Sequence, residues 1–202
     1  MWDQRYSTEE YVYGTEPNAF FKEEVEKLPP GRLLLPGEGE GRNAVYAAAK
    51  GWEVWAFDQS ESGRDKALKL ALSRNVTINY HIADLLTEEF PVNYFDAIGL
   101  IFIHTSEGDR PGFHRKMVES LKPGGIIILI GYSKEQIRYD SGGPRDESML
   151  FSETDLRKDF QSISINYLKK ELLDLTEGQF HQGKASAIQM IAVKQADIIQ
   201  PK

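Results

Sequence analysis

Residues 33–43 read Leu33-Leu34-Leu35-Pro36-Gly37-Glu38-Gly39-Glu40-Gly41-Arg42-Asn43. An apolar run passes through three alternating glycines into Gly41–Lys50, a segment patterned as a helix. Glycine serves where the chain must turn sharply with positive φ, and where a ligand must lie against bare backbone. The helix start then offers unpaired N–H groups to a ligand carrying negative or polar groups. Such loops serve nicotinamide and flavin cofactors among others, and some are only tight turns. No Gly-Lys-Ser/Thr follows, which excludes a Walker A loop.

Working outward, strand-like runs alternate with helical patterns. Arg32–Pro36, Glu53–Asp58, Thr77–Asp84, Tyr94–Ile103 and Ile126–Tyr132 read as five strands. Between them Ser60–Arg74 reads as a helix with Ala67, Leu68, Ala71 and Leu72 on one face. Phe113, Met117 and Leu121 mark another helix, stopped by Pro123-Gly124-Gly125. Phe21, Val25 and Leu28 mark an earlier one, closed by Pro29-Pro30. The run Ile126–Tyr132 is apolar on both faces, as in a strand covered by helices on each side. Ser152-x-x-Asp155 has the form of a capping box opening a short helix to Phe160. Ile163–Leu175 and Ala185–Lys194 then read as strands with only Thr176–Lys184 between them. That gap is too short for a crossover helix, so the pair is antiparallel. The expected architecture is α/β: a doubly wound, seven-stranded, mostly parallel sheet with an antiparallel C-terminal strand. We read residues 1–202 as one domain, with 1–30 as an N-terminal cover and 133–151 as a substrate loop.

Composition narrows the function classes. The chain has 202 residues, 41% hydrophobic and 27% charged, which fits neither a disordered tail nor a collagen-like repeat. The net charge of −7 and the lack of a Lys/Arg run argue against a nucleic-acid partner. With no cysteine there is no disulfide framework, thiolate zinc site or Cys nucleophile. The start Met1-Trp2-Asp3-Gln4-Arg5 has no signal-peptide core, and the longest apolar run, Ala97–Ile103, is too short to cross a bilayer. A cytoplasmic protein without a membrane partner is the expectation. His81, His104, His114 and His181 show no paired spacing, so no metal site is expected.

Two aspartates accompany the glycine turn. Asp58 ends the second strand, where a carboxylate can accept both hydroxyl protons of an adenosine ribose. It could instead cap the next helix, a role for which Ser60 is also available. Asp84, in Ile82-Ala83-Asp84-Leu85, ends the third strand. It could accept from an adenine amine while Leu85 packs on the ring, or simply shape a turn. All three features fall at C-terminal ends of neighbouring strands, where open α/β sheets bind ligands.

In this order, Gly37-x-Gly39-x-Gly41, Asp58, Ile82-Ala83-Asp84-Leu85, Phe95-Asp96-Ala97-Ile98 and Leu121-Lys122-Pro123-Gly124-Gly125 resemble class I S-adenosylmethionine-dependent methyltransferases over nearly the whole chain. The run Gly39–Val45, with Trp2, Arg5 and Tyr6, resembles the tellurite-resistance-type and thiopurine-type small-molecule branch. The resemblance implies a Rossmann-like methyltransferase fold and S-adenosylmethionine as cofactor. It places the cofactor against Gly37, Glu38, Gly39, Gly41, Asp58, Gln59, Asp84, Leu85, Phe102 and Tyr13. One departure stands out: the superfamily usually carries Asp or Glu two residues before the first glycine, where this chain has Leu35. Glu38 could supply a carboxylate from another direction, or be solvated.

Methyl transfer is an in-line displacement that asks for alignment and exclusion of water. A soft nucleophile needs little more, whereas a protonated hydroxyl or amine needs a base. His104, after the fourth strand, is the candidate for a base or a positioning residue, and His81, His114 and His181 read as structural. The aromatic rings of Trp2, Tyr6, Tyr11 and Tyr13 could stack on a sulfonium. In the 133–151 segment, Arg138 and Tyr139 are candidate substrate contacts. Two other readings remain open: a nicotinamide-dependent oxidoreductase, and a non-catalytic S-adenosylmethionine-binding protein, the latter motivated by Leu35-Pro36. The acceptor and the oligomeric state are not specified by these patterns.

Overall fold

The computed structural model describes residues 2–196. Seven strands form one sheet: β1 (Arg32–Pro36), β2 (Glu53–Asp58), β3 (Asn79–Ile82), β4 (Phe95–Ile101), β5 (Leu121–Tyr132), β6 (Ser164–Glu177) and β7 (His181–Val193). Their spatial order is β3-β2-β1-β4-β5-β7-β6. The first five run parallel, and β7 is antiparallel to both β5 and β6. The helices are α1 (Trp2–Tyr6), α2 (Ala19–Val25), α3 (Arg42–Ala49), α4 (Glu61–Ser73), α5 (Arg110–Ser120) and α6 (Glu153–Asp159). The strand order reverses between β1 and β4, and the crevice outside the carboxyl ends of that pair is where such sheets bind ligands. No helix among the described residues is long and apolar enough to cross a membrane.

Alternation along β1 shows why it sits at the centre. Leu33 and Leu35 face one layer with Phe21, Val25, Ala44 and Ala47, while Leu34 faces the other with Phe57, Ile98 and Met117. All three leucines are fully buried, each worth about 2 kcal/mol by transfer from water. Leu35 also abuts Gly99, where a Cβ would stand 2.6 Å from its Cδ2. The position expected to carry an acid is therefore part of the core.

Four sequence expectations are corrected. On α4 the buried face is Gly63, Ala67, Leu70 and Ala71, while Leu68 and Leu72 are exposed. Small residues face inward because α4 packs directly against the glycine turn: a Cβ on Gly41 would meet the Ala67 Cβ at 2.5 Å. Leu121 is not helical but opens β5, and Pro123-Gly124-Gly125 forms an irregularity inside that strand rather than a helix stop. Strand β3 is shorter than expected because Asp84 leaves the ladder, its Oδ1 accepting the Leu86 N–H at 2.8 Å. Finally, the β6–β7 turn is only Gly178–Phe180, so Glu177 and His181 are paired strand residues.

Candidate functional site

The glycine turn leaves β1 and is tied down from three sides. The Asp58 carboxylate, at the end of β2, accepts the Gly39 N–H at 3.1 Å and the Ser60 N–H at 2.9 Å. Ser60 itself caps α4 through the Gly63 N–H at 3.0 Å, so Asp58 is released from that duty. Tyr80 on β3 donates to the Gly39 carbonyl at 2.7 Å. Glu38 is buried and folds back onto α3, where its Oε1 accepts the Asn43 and Ala44 N–H groups at 2.8 and 2.7 Å. It completes the helix N-terminus and is not solvated. Burial pushes its carboxyl up to about 7, against the pull of those N–H groups and Arg42.

Gly37 presents a half-open backbone, and an added Cβ would only graze Ile103 at 3.5 Å and Leu85 at 3.8 Å. These two side chains give the crevice an apolar wall. Asp84 lies exposed just past β3, and its Oδ2 makes no hydrogen bond among the described residues. Gln59 is exposed beside Asp58. The expected group Gly37, Gly39, Gly41, Asp58, Asp84 and Leu85 is thus gathered around one sheet edge.

The N-terminal segment closes over this edge. Tyr6 is buried, and its hydroxyl stands 2.6 Å from where a Gly39 Cβ would lie. Asp3 accepts from Ser60 Oγ at 2.7 Å, and Trp2 stacks on Tyr6 with ring centroids 5.7 Å apart. Farther along, Glu40 Oε2 accepts the Val12 N–H at 2.8 Å while Oε1 takes the Lys66 ammonium at 2.7 Å. Tyr11 lies on α4, its hydroxyl donating to the Lys66 carbonyl. The Asn18 N–H reaches Asn43 Oδ1 at 2.9 Å. Glu40 and Asn43 were visible in the glycine stretch, but spacing gave no hint of their long-range partners.

Beside the crevice, a cavity of about 200 Å³ is lined by Arg5, Tyr13, Gly142, Gly143, Phe180 and His181, among others. The Tyr13 hydroxyl accepts from Arg5 Nη1 at 3.0 Å, and its ring lies 4.5 Å from that of His181. His181 Nδ1 is 3.1 Å from Glu177 Oε2. The same carboxylate is held by Arg42 Nη2 at 2.8 Å and Asn18 Nδ2 at 2.7 Å. These bonds keep the Glu177 carboxyl down at about 2, despite a burial effect that opposes them. Phe102 sits in the left-handed region at φ 54°, which places its ring 4.6 Å from both Tyr132 and His181. Strain of this kind concentrates at working sites. Arg42, Glu177 and His181 were not among the expected site residues.

His104 is corrected as a base. Its Nδ1 faces the Met149 carbonyl at 2.9 Å and must carry the proton, while Nε2 accepts the Tyr132 N–H at 3.0 Å. Both nitrogens are committed to backbone, and desolvation pushes the ring down to about 4. It pins the ends of β4 and β5 to the Glu147–Met149 turn. His81 pairs with Glu88 and His114 with Asp159, both away from the cavity lining. Arg138 is exposed and Tyr139 half-buried in the 133–151 segment, where Arg145 reaches the Tyr139 carbonyl.

The residues present fit an adenosyl ligand. Each Asp58 oxygen keeps a lone pair beyond its one N–H bond, and the Gly37 backbone faces an apolar slot. Comparisons with known proteins agree. Residues 34–125 match the family described as "Methyltransferase domain". A probable thiol methyltransferase 2 from Arabidopsis thaliana is 30% identical over 153 residues, covering 70% of this chain and 64% of that protein. A phosphoethanolamine N-methyltransferase 1 from the same plant is 28% identical over 69% of this chain, which spans only 27% of its length. The chain thus spans less than two thirds of these relatives. Among solved structures, a SAM-dependent methyltransferase from Methanosarcina mazei superposes with a TM-score of 0.72 at 16% identity, covering 90% of this chain and 100% of that one. TehB from Haemophilus influenzae gives 0.73 at 18%, covering 96% and 66%. Residues 34–125 thus resemble a methyltransferase domain, and the chain shares its fold with the superposed structures.

Proposed function

We propose that this chain transfers a methyl group from S-adenosylmethionine to a small-molecule acceptor held in the cavity beside the glycine turn. The observation that carries the reading is the Asp58–Gly39 bond between the ends of β1 and β2, next to the switch point of the sheet, with Leu85 and Ile103 forming the adjoining apolar wall. Bound there, the cofactor supplies an electrophilic methyl group on a sulfonium. In this reading Asp58 and Asp84 orient the adenosyl part, Leu85 and Ile103 exclude water, and Trp2, Tyr6 and Tyr13 cover the site. Residues 1–30 act as the cover and 133–151 as the acceptor wall of one domain.

The names of the thiol and phosphoethanolamine methyltransferases support a small acceptor, and the run Gly39–Val45 with Trp2, Arg5 and Tyr6 is the ground for a tellurite-resistance-like branch. Glu38 is committed to α3, so the methionine end of the cofactor must find its partners elsewhere. Titration calorimetry with S-adenosylhomocysteine, with NADH as the control ligand, tests the cofactor. Binding of the first and not the second is expected, and no binding at millimolar concentration overturns the reading. Methyl transfer is then assayed on thiols, chalcogen anions, amines and phenols.

A further inference from the structure

His181 is the one histidine on the cavity wall, and its geometry differs from that of the other three. Glu177 is ionised and can only accept, so the bond at 3.1 Å puts the ring proton on Nδ1. Nε2 then bears the lone pair, and it makes no hydrogen bond among the described residues. A base oriented by a carboxylate, with its second nitrogen open toward a cavity, is the arrangement that proton abstraction requires. The ring cannot swing, because Tyr13 and Phe102 pack against it at 4.5 and 4.6 Å. Glu177 cannot swing either, being held by Arg42 and Asn18.

The charges on the cavity wall bear on what binds. Arg5 lies over the Trp2 and Phe180 rings and bonds Tyr13, with no carboxylate partner among the described residues. Asp140, also on the wall, is engaged by Arg145 at 2.6 Å. An unneutralised guanidinium disfavours a cationic amine and stabilises an acceptor that becomes an anion on losing its proton.

We propose that His181 is the general base for a small thiol acceptor, with Glu177 orienting its ring and Arg5 facing the thiolate that forms. The proposal rests on the methyl-transfer reading above. The thiol S–H bond breaks, the proton goes to Nε2 and the electron pair stays on sulfur. That pair bonds the methyl carbon while the old carbon–sulfonium pair remains with the cofactor's sulfur, leaving a thioether. The imidazolium then gives its proton to water. Around Nε2 the charged and titratable neighbours are Glu177, Arg42, Arg5, Tyr13, Tyr132 and His104, and desolvation holds the ring below its ordinary value, so it is neutral at pH 7.

Two probes separate this role from a structural one: 2-mercaptoethanol, largely protonated at neutral pH, and 4-nitrothiophenol, largely ionised. In His181→Gln the ratio of alkyl to aryl thiol turnover is expected to fall about hundredfold, and to recover as pH rises and the alkyl thiol ionises unaided. S-adenosylhomocysteine binding, read by calorimetry, is expected to stay within a few-fold of wild type. Independently of activity, nitrogen-15 spectra of the wild-type protein should show His181 as the Nδ1–H tautomer, its Nε2 resonance moving on addition of 2-mercaptoethanol. An unchanged ratio, an equal loss on both thiols, turnover of neither thiol by the wild type, or an Nε2–H tautomer overturns the proposal. Failure of the wild type to bind S-adenosylhomocysteine overturns the methyl-transfer reading instead. If the variant does not fold, the wild-type tautomer and its response to thiol decide the matter.

Discussion

Glu40 Oε2 accepts the Val12 N–H at 2.8 Å, so a residue inside the glycine turn anchors the segment that covers it. The other oxygen of this buried carboxylate holds Lys66 on α4 at 2.7 Å. Replacing it strands a buried N–H and an ammonium, which costs about 1–3 kcal/mol. Glu40→Ala is expected to loosen residues 2–17 more than the sheet. Limited proteolysis should show earlier cleavage in that segment, and stopped-flow should show faster release of S-adenosylhomocysteine.

Gly39 and Gly41 predict different failures. At Gly41, φ is 84° and a Cβ would strike Ala67 of a packed helix at 2.5 Å, so Gly41→Ala is expected to destabilise by about 2–4 kcal/mol. At Gly39 the obstacle is the Tyr6 hydroxyl, the far end of a side chain on the cover. Gly39→Ala should displace that cover and weaken cofactor binding while costing less stability. Urea melts and calorimetry on both variants distinguish the two.

Glu38 makes stability fall with rising pH. Its folded value, about 7, lies above the ordinary 4.5, so its contribution is complete below pH 4.5 and is lost as pH rises through 7. The difference approaches about 3 kcal/mol. Glu38→Gln keeps an oxygen for the Asn43 and Ala44 N–H groups and removes the titration. Comparing urea unfolding at pH 5 and pH 8, the variant should lack this loss, though its amide faces the Asn43 side chain less well at both.

His104 has the opposite sign. Its folded value, about 4, lies below the ordinary 6.5, so its contribution is present above pH 6.5 and disappears as pH falls toward 4. His104→Gln is expected to be less stable than wild type at pH 7.5, because two hydrogen bonds to backbone are disturbed. The gap should narrow between pH 6.5 and 4. The alkyl-to-aryl thiol ratio should stay near that of the wild type, in contrast to His181→Gln.

The sheet and its crevice were legible because β1, β2 and the glycine turn are local patterns, with Ser60 and Asp58 each at the position its chemistry favours. Alternation cannot reveal which side of α4 must be thin, and so Leu68 and Leu72 looked like core until Gly41 was seen against Ala67. In the sequence His104 follows a strand and His181 falls in the gap between the last two. Only the partners on their second nitrogens separate them, and the Tyr132 N–H that occupies His104 comes from a different strand. The role of Glu177 depended on the turn being three residues long, which the stretch 176–184, lacking an alternating apolar pattern, concealed.

The grip of Glu177 on Asn18 joins residues 159 positions apart in the chain. A ribosome-bound polypeptide that has emerged only through β5 already contains the glycine turn, Asp58 and Asp84, yet has no wall opposite Tyr13. During synthesis the half that meets the nucleoside can take shape first, and the chamber for the second reactant is finished only when the closing hairpin arrives.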